Sequence, residues 1–182
     1  MNLLATTIAL LAQLHVAPGP AQIILIRHAE KPADSRNPHL SPAGEQRARK
    51  LVAFLTTDPV LMKFGPPVAV FATKTTKHDN GQRTQETVAP LAAALKLPVQ
   101  ADVFGKDYAD LAKIIRADRS YAGKTVVICW NHEVMPKLAA ALGVSPQPPH
   151  WKGSVFDRVY LISYRKGRAT LTVLPERLGR LK

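Results

Sequence analysis

The hydrophobic residues of this chain follow two alternating patterns. Short apolar runs predict buried strands, since they are too short for core helices. These runs lie at Gln22–Ile26, Val68–Ala72, Val99–Ala101, Thr125–Trp130, Phe156–Ser163 and Ala169–Leu174. Between them, apolar residues recur three or four positions apart, which is typical of one buried face of a helix. The four helical repeats begin at Ala48, Val88, Leu111 and Val134.

Turn-forming residues mark the ends of the predicted helices. Ser41-Pro42 is typical of an N-cap followed by the first helical residue, and Gly143 is predicted to be the C-cap of the fourth helix. Strands that alternate with helices predict an α/β fold, here a three-layer sandwich with a mostly parallel central sheet and helices on both faces. Only residues 164–168 separate the last two strands, so we expect an antiparallel hairpin at the C-terminal edge.

The amino terminus has a different pattern from the rest. The apolar stretch Leu3–Val16 precedes Ala17-Pro18-Gly19-Pro20, as in the core and cleavage region of an export signal. It is too short to span a membrane comfortably, and no Lys or Arg precedes it. We therefore expect residues 1–20 to be a cleaved signal, or alternatively a retained amphipathic helix, and residues 21–182 to form one domain. The first interpretation implies a periplasmic or secreted protein, and the second also fits a cytoplasmic one.

The composition narrows the range of partners. The chain has 182 residues, and 25 Lys and Arg against 13 Asp and Glu give a net charge of +12. This surplus favours an anionic partner such as a phosphorylated molecule. The basic residues are dispersed and form no recognised nucleic-acid motif, so we expect no nucleic-acid partner. Cys129 is the single cysteine, and its apolar run predicts a buried structural thiol.

Candidate catalytic residues lie where the predicted elements begin or end. Arg27 and His28 follow the first strand, His132 follows the strand that ends at Trp130, and Arg83 lies at the start of the second helix. Ligands bind at the carboxyl ends of parallel strands, so these four side chains are expected to share one pocket. Guanidinium groups bind phosphate oxygens through charge-assisted hydrogen bonds, and a neutral imidazole can attack phosphorus. The pattern predicts phosphoryl transfer to a histidine.

This chemistry places a requirement on His28. One ring nitrogen must have a free lone pair, so a carbonyl or carboxylate must bind the proton on the other nitrogen. Nearby guanidinium groups disfavour the charged imidazolium. The chain has no His-x-His or His-Glu-x-x-His spacing, so we predict neither a metal site nor a cofactor.

Four segments resemble those of the histidine phosphatase superfamily, also called the phosphoglycerate mutase-like superfamily. The resemblance covers nearly everything from Gln22 onward. In chain order, the segments are 24–31 (ILIRHAEK), 40–48 (LSPAGEQRA), 83–92 (RTQETVAPLA) and 126–133 (VVICWNHE). It implies that His28 is the phosphorylated nucleophile, and that Arg27, Arg83 and His132 complete the phosphate pocket of a metal-independent phosphatase.

The chain departs from the common family pattern in two places. Ala29-Glu30-Lys31 follows the Arg-His pair, where most members have glycine, and this resembles a small bacterial branch. The loop between Thr73 and Arg83 is longer than usual and contains Lys74, Lys77, His78, Asp79 and Asn80. Its polar residues either border the pocket or form a solvated loop.

The proton donor for the leaving group has several candidates. Glu133 ranks first because it directly follows His132, as an acidic residue follows the second histidine in the acid-phosphatase and phytase branch of the superfamily. Glu30, Asp102 and Asp107 are the alternatives. The other histidines, His39, His78 and His150, are weaker candidates for a catalytic role. Trp151 and Phe156 either form a wall of the pocket or belong to the core.

Four functions fit these residues to different degrees. We predict hydrolysis of phosphate monoesters, either small molecules or a phosphorylated protein side chain, through a phosphohistidine on His28. A phosphomutase would use the same chemistry, but the short chain lacks the insertions of glycolytic mutases. A non-catalytic phosphate-binding domain would not need His28. A nucleic-acid-binding domain would need clustered basic and aromatic residues.

Overall fold

A computed structural model describes residues 19–34, 36–75 and 81–178. Its strands are β1 (Gln22–Arg27), β2 (Pro67–Phe71), β3 (Val99–Gln100), β4 (Thr125–Trp130), β5 (Arg158–Arg165) and β6 (Arg168–Pro175). Its helices are α1 (Pro42–Thr57), α2 (Gln82–Leu95), α3 (Tyr108–Ala117) and α4 (Met135–Ala141), with a 3₁₀ turn at Arg119–Tyr121. Within these ranges, no helix has the length and hydropathy that a membrane crossing requires. The candidate export signal lies almost wholly outside them.

The six strands form one mixed sheet in the order β3-β2-β4-β1-β5-β6. Strands β1, β2, β3 and β4 are parallel, whereas β5 pairs antiparallel with β1 and with β6. Helices α1 and α2 contribute to the core on one face of the sheet, and α3 and α4 contribute to the core on the other. The predicted α/β fold with its C-terminal hairpin is confirmed.

The centre of strand β1 is apolar throughout because both faces of the strand are buried. Ile23 and Leu25 pack into the core beside α3 and α4, whereas Ile24 and Ile26 pack into the core beside α1 and α2. All four side chains are fully buried. Each such burial stabilises the fold by about 1.5–3 kcal/mol, so a polar residue anywhere in this strand would be costly.

The helix ends agree closely with the sequence prediction. Ser41 Oγ accepts a hydrogen bond from the Gly44 amide at 3.1 Å, and Pro42 is the first residue of α1. At the end of α4 the C-cap is Leu142, one residue earlier than predicted, and Gly143 follows with a φ of 102°. This left-handed conformation favours glycine after a helix.

Five of the six predicted strands differ from the structure in their boundaries, four of them by one residue at one or both ends. The largest difference is at β5, which begins at Arg158, two residues after the predicted start at Phe156, and ends two residues after the predicted end at Ser163. Phe156 instead belongs to a loop, residues 151–157, in which its ring packs on the Arg27 guanidinium at 3.7 Å. The apolar residue at this position therefore contacts the end of β1 before the strand pairing starts.

Candidate active site

His28 directly follows β1 and is buried. Its Nδ1 atom lies 2.7 Å from the carbonyl oxygen of Ala29. A carbonyl only accepts hydrogen bonds, so Nδ1 carries the proton and Nε2 keeps its lone pair. The Ala29 carbonyl is thus the tautomer-fixing partner that the sequence could not identify.

The Ala29 peptide is itself held by α2. Its amide donates to Thr87 Oγ1 at 2.9 Å, and the Thr87 hydroxyl donates to the Arg83 carbonyl at 2.7 Å. Thr87 is fully buried, so no water competes for these bonds. One threonine therefore connects the peptide that orients His28 to the helical turn that carries Arg83.

The backbone one residue further along is fixed by α1. The Glu30 carbonyl accepts hydrogen bonds from the Ser41 amide at 2.9 Å and from the Ser41 hydroxyl at 3.2 Å. A Cβ atom on Gly44 would collide with that carbonyl, so only glycine allows this close approach. The backbone after His28 is therefore clamped between the N-terminal turn of α1 and α2.

Surrounding groups keep His28 neutral. Burial lowers the pKa of His28 from 6.5 to about 4, against the opposing effect of its hydrogen bond to Ala29. The charges of Arg27 and Arg83, and of His132 when protonated, lower this pKa further. These interactions place all four predicted pocket residues together, and at neutral pH they leave the His28 imidazole uncharged.

Arg27 lies under the loop 151–157. Its Nη1 atom donates to the Gly153 carbonyl at 2.7 Å and to the Val155 carbonyl at 2.8 Å. Burial lowers the pKa of Arg27 to about 10, so the guanidinium stays charged at neutral pH. Its Nε atom is buried and has no hydrogen-bond partner among the described residues. Such an orphaned donor requires an explanation, and a bound anion would satisfy it.

Arg83 is positioned by the loop between β1 and α1. Its Nε atom donates to the His39 carbonyl at 3.3 Å, and its Nη2 atom donates to the Asn37 carbonyl. Burial lowers the pKa of the Arg83 guanidinium, and the nearby charge of Glu86 opposes this effect. Glu86 also binds the His39 ring at 2.5 Å, so the His39 side chain belongs to the support of Arg83.

His132 lies in the turn between β4 and α4. Burial lowers its pKa, the charge of Arg27 lowers it further, and the charge of Glu133 raises it. Glu133 is exposed and also interacts electrostatically with Arg27. An ideal Cβ on Gly153 would lie 3.2 Å from His132 Nε2, so the loop 151–157 passes directly over this ring. Glu133, the preferred candidate for the proton donor, thus lies at the border of the cluster formed by Arg27, His28, Arg83 and His132.

Glu30 forms an ion pair with Arg47, which lies 17 positions further along the chain. Arg36, a basic residue nearer to Glu30 in the sequence, pairs with Asp34 instead. Both carboxylate oxygens of Glu30 accept from Arg47 Nε, at 2.8 and 3.0 Å. Arg47 also donates to Glu176 at 2.5 Å. This ion pair occupies Glu30 and makes it a poorer acid candidate than Glu133.

The remaining candidates lie around or beyond the cluster. Asp102 is exposed near α3, and Asp107 directly precedes that helix. His150 is exposed and close enough to His132 to lower its pKa. His78 and most of its long loop lie outside the described residues. Cys129 is fully buried, as predicted.

Trp151 and Phe156 were each expected either in the core or in the wall of the pocket, and their environments differ. Trp151 belongs to the core, and its Nε1 atom donates to the Val155 carbonyl at 2.8 Å. Phe156 contacts the site, because its ring covers Arg27 and makes an edge contact with His28 at a centroid distance of 6.1 Å. No sequence signal indicated this role, because Phe156 was predicted to be the first residue of a strand.

The site does not coincide with a large groove elsewhere on the molecule. That groove, of about 760 Å³, opens at the opposite end of the sheet between residues such as Gly19, Arg116 and Tyr164. None of the four clustered residues lines it. We locate the site by its converging charges, because a phosphoryl group is small and needs donors more than volume. In the described part of the chain, no cluster of three or more His, Cys, Asp or Glu residues could hold a metal ion.

Comparisons with known proteins place the fold. No family model matches the chain, and no curated protein sequence matches it significantly. The alpha-ribazole phosphatase from Shigella flexneri superposes with a TM-score of 0.59 at 17% identity, covering 88% of this chain and 99% of that one. A mycobacterial glucosyl-3-phosphoglycerate phosphatase in complex with inorganic phosphate gives 0.55 at 14% identity, over 85% and 97%. A protein assigned as the phosphohistidine phosphatase SixA from Agrobacterium tumefaciens gives 0.53 at 15%, over 85% and 98%.

These matches cover most of the chain with structures from the histidine phosphatase superfamily. Because the identities lie between 14% and 17%, they show a shared fold. The fold implied by the sequence resemblance is therefore confirmed.

Proposed function

We propose that this protein is a histidine phosphatase that hydrolyses phosphate monoesters through a phosphohistidine on His28. The observation that carries this proposal is the Nδ1 bond of His28 to Ala29, which leaves Nε2 as a free nucleophile among cationic groups. The similar folds include proteins described as phosphatases of a ribazole phosphate, of glucosyl-3-phosphoglycerate and of phosphohistidine. These descriptions support phosphorylated substrates for this chain as well.

The first step transfers the phosphoryl group. Nε2 of His28 attacks phosphorus in line, the N–P bond forms, and the P–O bond to the leaving group breaks. Arg27 and Arg83 hold the phosphoryl oxygens, whose charge they stabilise in the transition state. His132 supplies a further donor from the end of β4. Glu133, when protonated, gives its proton to the departing alkoxide.

The second step releases phosphate. Glu133, now a carboxylate, removes a proton from water, and the water oxygen attacks the phosphohistidine. The N–P bond breaks, and its electron pair returns to Nε2. Inorganic phosphate leaves, and His28 regains the neutral tautomer that the Ala29 carbonyl favours.

The contacts between Arg27 and the loop 151–157 also support this assignment. Arg27 uses Nη1 for two loop carbonyls and keeps Nε for the anion, so the loop orients the guanidinium without saturating it. Phe156 lies on the guanidinium face, where a cation–π contact is favourable. The side chain is therefore fixed before substrate arrives, which lowers the entropic cost of binding.

Hydrolysis of p-nitrophenyl phosphate tests this function. We expect turnover that persists in EDTA, with inorganic phosphate released in the same amount as p-nitrophenol. The variant Arg83→Ala should lose most of the activity, because one phosphate charge is left unpaired. Arg119→Ala, which changes an exposed arginine far from the site, is the matched control and should retain it. Nitrophenol release without inorganic phosphate, with the phosphate passed to an added alcohol, would instead indicate a phosphomutase.

A further inference from the structure

The basic residues of the chain are concentrated at the end of the sheet opposite His28. We call this end the amino edge; it comprises residues 19–21, 58–66, 96–98, 116–124 and 164–169, which precede the parallel strands or connect β5 to β6. Eight exposed basic residues lie there: Lys63, Lys96, Arg116, Arg119, Lys124, Arg165, Lys166 and Arg168. Each of the six ion pairs between described residues forms without them.

Acidic residues hardly offset this charge. The amino edge contains two of them, Asp58 and Asp118, and both accept hydrogen bonds from nearby backbone amides. The rest of the described chain carries fourteen basic residues against ten acidic ones. The edge therefore has eight positive charges against two negative ones, a net charge of +6, whereas the much larger remainder of the described chain has a net charge of +4.

Exposed apolar side chains lie within the same edge. Val60 is 46% exposed and Phe64 is 38% exposed. The turn that carries them is attached to the start of β4, where Thr125 Oγ1 donates to the Gly65 carbonyl at 3.1 Å. Lys63 Nζ lies 5.5 Å from the centre of the Phe64 ring. A basic side chain beside an exposed aromatic ring is the combination that membrane–water interfaces favour.

The apolar amino-terminal sequence joins the fold at this edge. The stretch Leu3–Val16 ends two residues before Pro18, and the described chain begins at Gly19. The Gly19 carbonyl accepts from the Gly123 amide at 3.2 Å, and the Ala21 amide donates to the Lys124 carbonyl at 2.9 Å. The most apolar sequence of the protein is thus connected to the fold beside Lys124.

We propose that the amino edge is a docking surface for an anionic phospholipid membrane. Basic residues are attracted to the negative surface of such a membrane, and Val60 and Phe64 can enter its interfacial layer. His28 lies at the far ends of β1 and β4, so a docked molecule would present its active site to the aqueous phase. The exposed aliphatic side chain of Val60 offers no ring on which a base could stack, so the apolar part of this edge favours a membrane over a nucleic acid. The basic and apolar side chains of this surface do not depend on cleavage of residues 1–20, since the first of them in the chain is Val60.

Vesicle co-sedimentation of the full chain tests this surface. We compare vesicles of phosphatidylcholine alone with vesicles of phosphatidylcholine and phosphatidylglycerol at a ratio of about 7:3, in which the anionic surface potential attracts basic residues. We expect at least about tenfold tighter binding to the anionic vesicles at low salt, and most of this difference should disappear near 0.5 M NaCl because of screening. The variant Arg116→Glu/Lys124→Glu/Lys166→Glu should bind anionic vesicles no better than neutral ones.

A matched variant distinguishes the effect of this surface on binding from the effect of the net charge of the protein. Lys50→Glu/Lys106→Glu/Lys137→Glu makes the same change of charge outside the amino edge and should keep most of the anionic preference. Equal loss in both triple variants would contradict the proposal, as would equal binding of the wild type to neutral and anionic vesicles. Tight binding to single-stranded RNA without vesicle binding would overturn it in favour of a nucleic acid. The circular dichroism spectrum and the urea-unfolding midpoint of the first variant should match those of the wild type, which reports on folding without relying on the proposed function.

Discussion

The Ala29 amide donates to Thr87 Oγ1 at 2.9 Å, while the carbonyl of the same residue accepts from His28 Nδ1 at 2.7 Å. The threonine on α2 and the nucleophile at the end of β1 are therefore linked through one residue, although Ala29 and Thr87 lie 58 positions apart in the chain. Helix α2 thus helps to hold the residue whose carbonyl orients the His28 ring.

This link predicts the effect of changing Thr87. Thr87→Val removes the acceptor for the Ala29 amide and leaves a buried donor unpaired, so the His28 ring should lose its orientation. We expect kcat for p-nitrophenyl phosphate to fall by about tenfold to a hundredfold, the usual result of a small misplacement, with KM nearly unchanged. Thr87→Ser keeps the hydroxyl and should restore most of kcat. A proportional loss of kcat and of thermal stability in both variants would indicate a structural role alone.

The pH dependence of catalysis follows from the environment of His28. Its pKa is lowered from 6.5 to about 4, so the nucleophile should stay neutral throughout the range above pH 5. Activity should decline only as the pH falls towards 4, after correction for titration of the substrate phosphate measured by ³¹P NMR. Arg83→Gln removes a charge that lowers this pKa and should move the acid limb to higher pH. A pKa near 6.5 for the His28 imidazole itself, measured by NMR titration of the wild type, would contradict this account.

The ion-paired Glu176 predicts a pH dependence of stability. Burial raises its pKa from 4.5 to about 7, against the attraction of Arg47. The folded state therefore binds this proton more tightly than the unfolded state. The resulting stabilisation is complete below about pH 4.5 and is lost as the pH rises through 7.

Urea unfolding of Glu176→Gln checks this dependence. Gln does not titrate, so the unfolding free energy of the wild type should fall relative to the variant between pH 5 and pH 8. The relative change should be at most about 3 kcal/mol, since each pKa unit corresponds to about 1.4 kcal/mol. Identical pH dependence of the two proteins would show that Glu176 does not titrate in this range.

Glu133 can be tested by the choice of leaving group. Glu133→Gln removes the acid but keeps the size of the side chain, so poor leaving groups such as alkyl alcohols should suffer most. We expect about a hundredfold loss of kcat/KM for an alkyl phosphate and a much smaller loss for p-nitrophenyl phosphate, which needs little protonation. Asp102→Asn is the control and should slow neither substrate. Equal slowing of both substrates by Glu133→Gln would exclude Glu133 as the acid.

The sequence predicted the residues that depend on local pattern. Arg27 and His132 follow apolar runs that become β1 and β4, and the two strands pair in parallel with Arg27 opposite Trp130. Adjacent parallel strands end at one edge, so the convergence of their following residues was predictable. The Ser41 cap was predictable for the same reason, because its signal lies within a few residues.

Other features depend on contacts between distant parts of the chain. Arg47 donates both to Glu30, 17 positions before it, and to Glu176, 129 positions after it, although basic residues closer to Glu30 were present in the sequence. Phe156 looked like a strand residue because its apolar character does not reveal that Arg27 lies beneath it. The Ala29 carbonyl has no sequence signal, since every residue has one. These contacts could be identified only from the structure, because the residue types involved occur equally well in several environments.

The proposed mechanism depends on transfer of the phosphoryl group to His28. Rapid mixing with p-nitrophenyl phosphate, a quench at alkaline pH and intact-protein mass spectrometry would measure this directly, because a good leaving group favours accumulation of the intermediate. We predict one added phosphoryl group per chain, located on His28 by tandem mass spectrometry and absent in His28→Ala, which should also be inactive. A phosphoryl group on another residue, or undiminished turnover in His28→Ala, would contradict the account.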